Sequence, residues 1–161
     1  MKKVMVLAPL LAMAQAGAAS AAPVTATGPA AFALACVVAQ HSPLLSASDK
    51  GMIAHLFSGA SHFAASADRK FLVTADSIVC RVSGVDLTAR LCELAFKSDK
   101  RTLKGRDANE IDATLMAAGV APEGAAGSTI KSVSKLVCTL DSNELGQKAG
   151  GGAKCSFEMG Q

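Results

Sequence analysis

The sequence predicts an α+β domain of two layers, an antiparallel sheet of four or five strands covered on one face by two or three helices, with disulfide-stapled hairpins. Three observations carry that expectation. Apolar and polar residues alternate on both sides of Ser83-Gly84-Val85-Asp86, with a cysteine at matching depth in each run. A looser copy of this hairpin follows near the C-terminus, in SKLVCTL and AKCSFEM. The segments before and between them are amphipathic at helical spacing or apolar on every side, as a covering layer requires.

The chain opens with Lys2 and Lys3, runs through VMVLAPLLAMA and reaches Ala19-Ser20-Ala21 ahead of Ala22-Pro23. A charged start, a short apolar middle and a small-x-small end predict a signal peptide over residues 1–21, cleaved after Ala21. The apolar run is well short of the ~20 residues a spanning helix needs, so no membrane span is expected after cleavage. Losing Lys2 and Lys3 would lower Lys and Arg from 16 to 14 against 13 acids, for a net charge near +1. The expected location is periplasmic or secreted, where paired cysteines are the default. A chain with no Trp, no Tyr and no basic stripe lacks the means to stack on or track a nucleic acid, so none is expected as a partner.

Residues 22–29, rich in small and polar side chains with Pro23 and Gly28, read as a mobile N-terminal segment, and residues 30–161 as a single α+β domain. After Pro29, AAFALACVVAQ is about three turns long and apolar all round, the pattern of a buried helix. His41-Ser42-Pro43 ends it. Ser46 followed by Asp49 resembles a capping box, and Met52, Ile53, Leu56 and Phe57 recur at helical spacing, predicting a helix from about Ala47 to Ser58 with Gly59 as its stop. Ala60 to Arg69 shows no period and reads as a connecting loop. From Phe71 the period is two, with Ile78, Cys80 and Val82 on one face and Cys92, Leu94 and Phe96 on the matching face of the returning strand.

Lys97-Ser98-Asp99-Lys100 is a polar turn and Arg101-Thr102-Leu103 a short strand. The next helix carries Ile111, Leu115 and Ala118 as its apolar stripe, Asp107 and Glu110 near its start, where negative charge suits the helix dipole, and Gly119 at its end. Ala121 to Ser128 reads as an exposed loop. In the last hairpin Leu136, Cys138 and Leu140 share a face, as do Cys155, Phe157 and Met159. The connecting DSNELGQKAGGGA is too long for a tight turn and is either a projecting loop or a short helical turn with a flexible exit. The two hairpins suggest an internal duplication, although alternation alone would produce much of the likeness.

The cysteines on strand faces allow three pairings. A turn centred on Asp86 sets Cys80 opposite Cys92, which favours Cys80 with Cys92 and Cys138 with Cys155 over pairing across hairpins. Cys36 is left over. In its apolar helix it reads as a small buried hydrophobe, with a Cys36-linked dimer as the alternative to a monomer, and His41 as a weak candidate base for a catalytic thiol.

The sequence predicts no cofactor, no metal site and no catalytic residue set. His41, His55 and His62 form no cluster at ligand spacing, and HExxH and CxxC are absent. No G-x-S-x-G elbow occurs, although a Ser-His-Asp set can assemble without one. Asp107, Glu110 and Asp112 are the densest carboxylate group, and dipole complementarity explains their spacing better than paired acid and base chemistry. Gly150 to Gly152 precede a strand and lack the Lys-Ser/Thr ending of a phosphate loop.

If the cysteine face looks toward the helices, Arg81, Glu93, Lys135, Lys154 and Glu158 lie on the other face or its edges, with Arg90 as the misfit whose parity groups it with Cys92 and which, at the end of its strand, is expected to escape to solvent. That face is either solvated or a polar recognition surface. Short-range cysteine pairs on an exported helix-and-sheet scaffold resemble the layout of secreted inhibitor proteins of the β-lactamase inhibitory type. The resemblance is one of layout, covers no continuous motif and carries over no residue or target. The expected function is that of a small exported binding protein of unknown target, inhibition of an envelope or secreted enzyme included. Its rivals are a small periplasmic enzyme with His41, His55 or His62 as base in a site of scattered residues, and an envelope structural factor.

Overall fold

The structure, a computed structural model, describes residues 22–57, 69–83, 90–125, 127–141 and 152–160. The expected signal peptide, His62, the Ser-Gly-Val-Asp turn beyond Ser83, most of the Ala60–Arg69 loop and most of the loop after Asp141 lie outside the described residues. The elements run β1 (Val24–Thr27), α1 (Gly28–His41), α2 (Ala47–Phe57), β2 (Lys70–Ser83), β3 (Arg90–Phe96), β4 (Asp99–Lys104), α3 (Gly105–Ala117), β5 (Ser128–Asp141) and β6 (Ala153–Met159). Among the described residues these strands form one antiparallel sheet in the order β1-β6-β5-β2-β3-β4. Its sixth strand is β1. The sequence reads 22–29 as mobile, whereas Val24 to Thr27 pair with Phe157 to Lys154, because the open edge of β6 offers backbone partners that a small-residue segment can satisfy.

The helices follow their sequence signals. α1 buries Ala31, Leu34, Ala35, Cys36, Val37, Val38 and Ala39, consistent with its lack of a polar face. The Asp49 amide donates to Ser46 Oγ at 3.1 Å, the N-cap bond expected of α2. α3 turns Ile111 and Leu115 inward, both fully buried. It closes with the Val120 amide on the Leu115 carbonyl at 3.0 Å around Gly119 at φ 97°, a left-handed position that glycine takes without steric cost.

Register shows the sheet to be two copies of one unit, strand–glycine–helix–long strand–short strand. β2 and β5 are each 14 residues long and β3 and β6 each 7. Cys80 pairs with Cys92 as Cys138 pairs with Cys155, Cys92 with Leu103 as Cys155 with Ala26, and Leu91 with Lys104 as Lys154 with Thr27. Gly28 and Gly105 take left-handed φ of 71° and 61° at the same strand-to-helix step. Each unit lends its first strand to the other's hairpin, so the halves interlock about an approximate two-fold axis at the β2/β5 seam. The duplication suggested by the cysteine hairpins therefore extends to every strand of the sheet.

The inward face changes parity along the two long strands. In β2 it runs Phe71, Val73, Ala75 and then Ile78, Cys80, Val82; in β5 it runs Lys131, Val133 and then Leu136, Cys138, Leu140. The step in β5 falls at Lys135, at φ 52°, where the register against β6 shifts between Ser134 and Val137, a β-bulge. The core lies between this face and the helices. Among the described residues no helix packs on the opposite face, where Leu72, Ile130 and Val137 are 57%, 40% and 42% exposed.

Candidate functional site

The disulfides join Cys80 to Cys92 and Cys138 to Cys155, the pairing favoured by strand parity. All four sulfurs belong to buried residues under the helices. Cys92 Sγ lies 3.3 Å from the Ala108 carbonyl oxygen and Cys155 Sγ 3.4 Å from that of Ala31. A disulfide sulfur carries no proton, so these are close packing contacts and not hydrogen bonds. Ala31 and Ala108 are equivalent in the two halves, and their small side chains let each helix settle directly on a disulfide. The bridges are structural, with no path for exchange.

Cys36 is free and 1% exposed. Burial pushes its thiol up from 9.0 to about 12. His41 sits in the last turn of α1 beyond it, and five residues apart on a helix the two do not share a face. An accessible thiolate is what both nucleophilic attack and an intermolecular disulfide require, and this site withholds it. Native protein is expected to resist iodoacetamide at neutral pH and to take up one label per chain once denatured with its disulfides kept oxidised. Rapid native labelling would place Cys36 at the surface and overturn the buried reading. Because the folded thiol holds its proton more tightly than the unfolded one, stability is expected to fall as pH rises from about 9 toward 12.

Below α3 lies a charged cluster that the sequence reading did not assemble. Asp112 is 2% exposed and Lys131 6%. Lys131 Nζ donates to Asp112 Oδ1 at 2.9 Å, and Arg90 Nε stands 3.4 Å from Asp112 Oδ2 without making a hydrogen bond. Arg90 also reaches Asn109 Oδ1 at 3.4 Å. Two expectations change here. Asp112 does not serve the helix dipole with Asp107 and Glu110; one turn further on it points inward and is neutralised by cations from β3 and β5. Arg90, expected to escape to solvent, is drawn in by that carboxylate. Lys131 was missed because it begins the inward run of β5 well before the SKLVCTL motif, and one lysine among alternating residues carries no mark of burial.

The internal repeat shows this cluster to belong to one half alone, as α2 belongs to the other. Asp112 corresponds to Ala35, Arg90 to Ala153 and Lys131 to Val73, and all three counterparts are buried. One half thus solves the same packing problem with apolar side chains.

Along the β2/β5 seam the uncovered sheet face has the opposite character, since the apolar positions there recur in both halves. Leu72 corresponds to Ile130 and Val79 to Val137, all directed away from the helices along the β2/β5 seam. Between them lie Thr74, Ser77, Ser132 and Ser134, which leave a low floor. Lys135 Nζ and Glu158 Oε1 meet at 3.8 Å on this side. A cleft of about 390 Å³ indents one end, with Val79, Ile130 and Met159 in its wall beside Arg81 and Glu123.

His41 and His55 lie on α1 and α2. Among the described residues no group of three or more His, Cys, Asp or Glu side chains is placed to hold a metal ion, and no helix is long and apolar enough to cross a membrane. No protein-family model, curated protein or solved structure matches this chain.

Proposed function

We propose that this is an exported binding protein that presents the uncovered face of its sheet to another protein, as an inhibitor or adaptor of an envelope or secreted enzyme does. One observation carries the reading: outward-facing apolar residues, Leu72 with Ile130 and Val79 with Val137, are kept at equivalent positions in both halves of the repeat. Solvated strand faces have no physical need for them, whereas a docking face does. The buried disulfides support an oxidising compartment and give a rigid backbone, which lowers the ordering cost of association.

Affinity capture from the native envelope with three forms of the protein tests this. Leu72→Glu with Val137→Glu places charge on the seam, and Met116→Glu does the same on α3, where Met116 is 57% exposed. Such exposed substitutions change stability by no more than about 0.5 kcal/mol. A discrete partner is expected with the wild type and Met116→Glu and not with the seam variant. Equal capture by all three, or loss with Met116→Glu alone, would sink the proposal.

A further inference from the structure

The charges that flank the seam identify the kind of partner it fits. On the uncovered face Lys135 is matched by Glu158, and Lys70 lies opposite Asp141 in register. What is left on the β3/β4 side is Arg81, Lys100 and Lys104 with Glu93, and on the β6 side Lys154 with Glu123, with Asp76 exposed where the long strands change parity. Lys100 and Lys104 share this face because they stand directly opposite Ala95 and Leu91, which in turn oppose Ser77 and Arg81. Among the described residues the face is therefore a strip of small and apolar side chains with an excess of positive charge on its β3/β4 flank and balanced charge on its β6 flank.

Resting on the binding reading above, we propose that the partner is a protein whose contact surface is an apolar ridge bordered by Asp and Glu side chains, laid along the β2/β5 seam. A second copy of this chain fits poorly, since face-to-face stacking would set the cationic β3/β4 flank against itself or against the balanced Lys154 and Glu123 side, and neither supplies an acidic border for it. Apolar side chains of the ridge fill the strip between Leu72, Val137, Val79 and Ile130 and exclude water from it. The acidic border pairs with Lys100, Lys104 and Arg81 at the rim, where such pairs govern encounter rate and partner choice more than affinity. The cleft beside Arg81 and Ile130 gives one ridge side chain a deeper seat.

A photo-reactive benzophenone side chain placed at Leu72, at Val137 or at Met116 of the full chain, irradiated in the exporting cell, tests the pairing. The expected result is an adduct with a different protein from positions 72 and 137 and none from 116, joined to a peptide with Asp or Glu beside the modified residue. That adduct is expected to be lost with Lys100→Glu and Lys104→Glu, and to weaken as salt is raised in a washed envelope preparation. No adduct from positions 72 and 137 would overturn the binding reading itself. Adducts that persist in the charge-reversed variant, that join two copies of this chain, or that attach to lipid would leave binding standing and overturn the acidic partner.

Discussion

Asp112→Ala is expected to lower the stability of the oxidised protein by about 3–5 kcal/mol, the cost of leaving a buried cation without its counter-charge. Among the described residues Lys131, 6% exposed, pairs with the Asp112 carboxylate alone, 2.9 Å away, and Arg90 Nε lacks a hydrogen bond. Truncation at position 112 would put two cations against an apolar cavity. The matching change of all three residues has the opposite expectation. Arg90→Ala, Asp112→Ala and Lys131→Val together copy Ala153, Ala35 and Val73 from the other half, where that packing already exists. Removing a complete buried ion cluster in favour of apolar side chains is neutral or stabilising by about 1–4 kcal/mol. Urea midpoints for the wild type, the single variant and the triple variant measure both effects. A single variant within about 1 kcal/mol of wild type would mean that water reaches Lys131 and that the cluster is not the closed pair described above.

The triple variant also bears on why the charges are kept. Two similar halves that exchange their first strands can be wired wrongly, with α1 and α3 trading places over the sheet. A carboxylate on α3 alone, with its cations on β3 and β5 alone, distinguishes the two placements. If specificity is their role, the triple variant is expected to refold to a mixture of species while remaining stable, visible as doubled amide resonances. A single set of sharp resonances would assign the cluster no such part.

The scaffold was legible because it rests on strong local patterns. Period-two alternation around Cys80 and Cys92 gave strand, face and pairing together, since a residue's parity in a hairpin decides which side it occupies. The Ser46 cap and the Ile111-Leu115-Ala118 stripe are equally local. What could not be read depended on distant partners. Val24 to Thr27 become a strand only because β6 has an open edge, and nothing within four small residues announces it. The inward turn of Lys131 follows from the parity change at Lys135, a backbone event at one non-glycine residue. The repeated outward apolar pairs became visible only once register aligned β2 with β5, because Leu72 and Ile130 sit in unlike sequences.

Loss of either disulfide is expected to cost about 3 kcal/mol, with a range of 2–5, and loss of both to leave the chain largely unfolded at 37 °C. The bridges close loops of sequence separation 12 and 17, and the logarithmic dependence on loop length makes their entropic contributions differ by only about 0.3 kcal/mol. Two such terms are comparable with the whole stability of about 5–15 kcal/mol for a domain of this size. The core has little in reserve to replace them. α1 buries Ala31, Ala35 and Ala39, and alanine contributes little apolar area. Those alanines also bring α1 against Cys155, as Ala108 brings α3 against Cys92, so removing a bridge leaves a void beneath a helix as well as a longer unfolded chain. Melting of the Cys80→Ala/Cys92→Ala and Cys138→Ala/Cys155→Ala variants, singly and combined, separates the contributions. The hairpins meet along β2 and β5, so the combined loss is expected to depart from the sum. A combined variant that still melts cooperatively within a few degrees of wild type would show that the apolar layer alone holds the sheet.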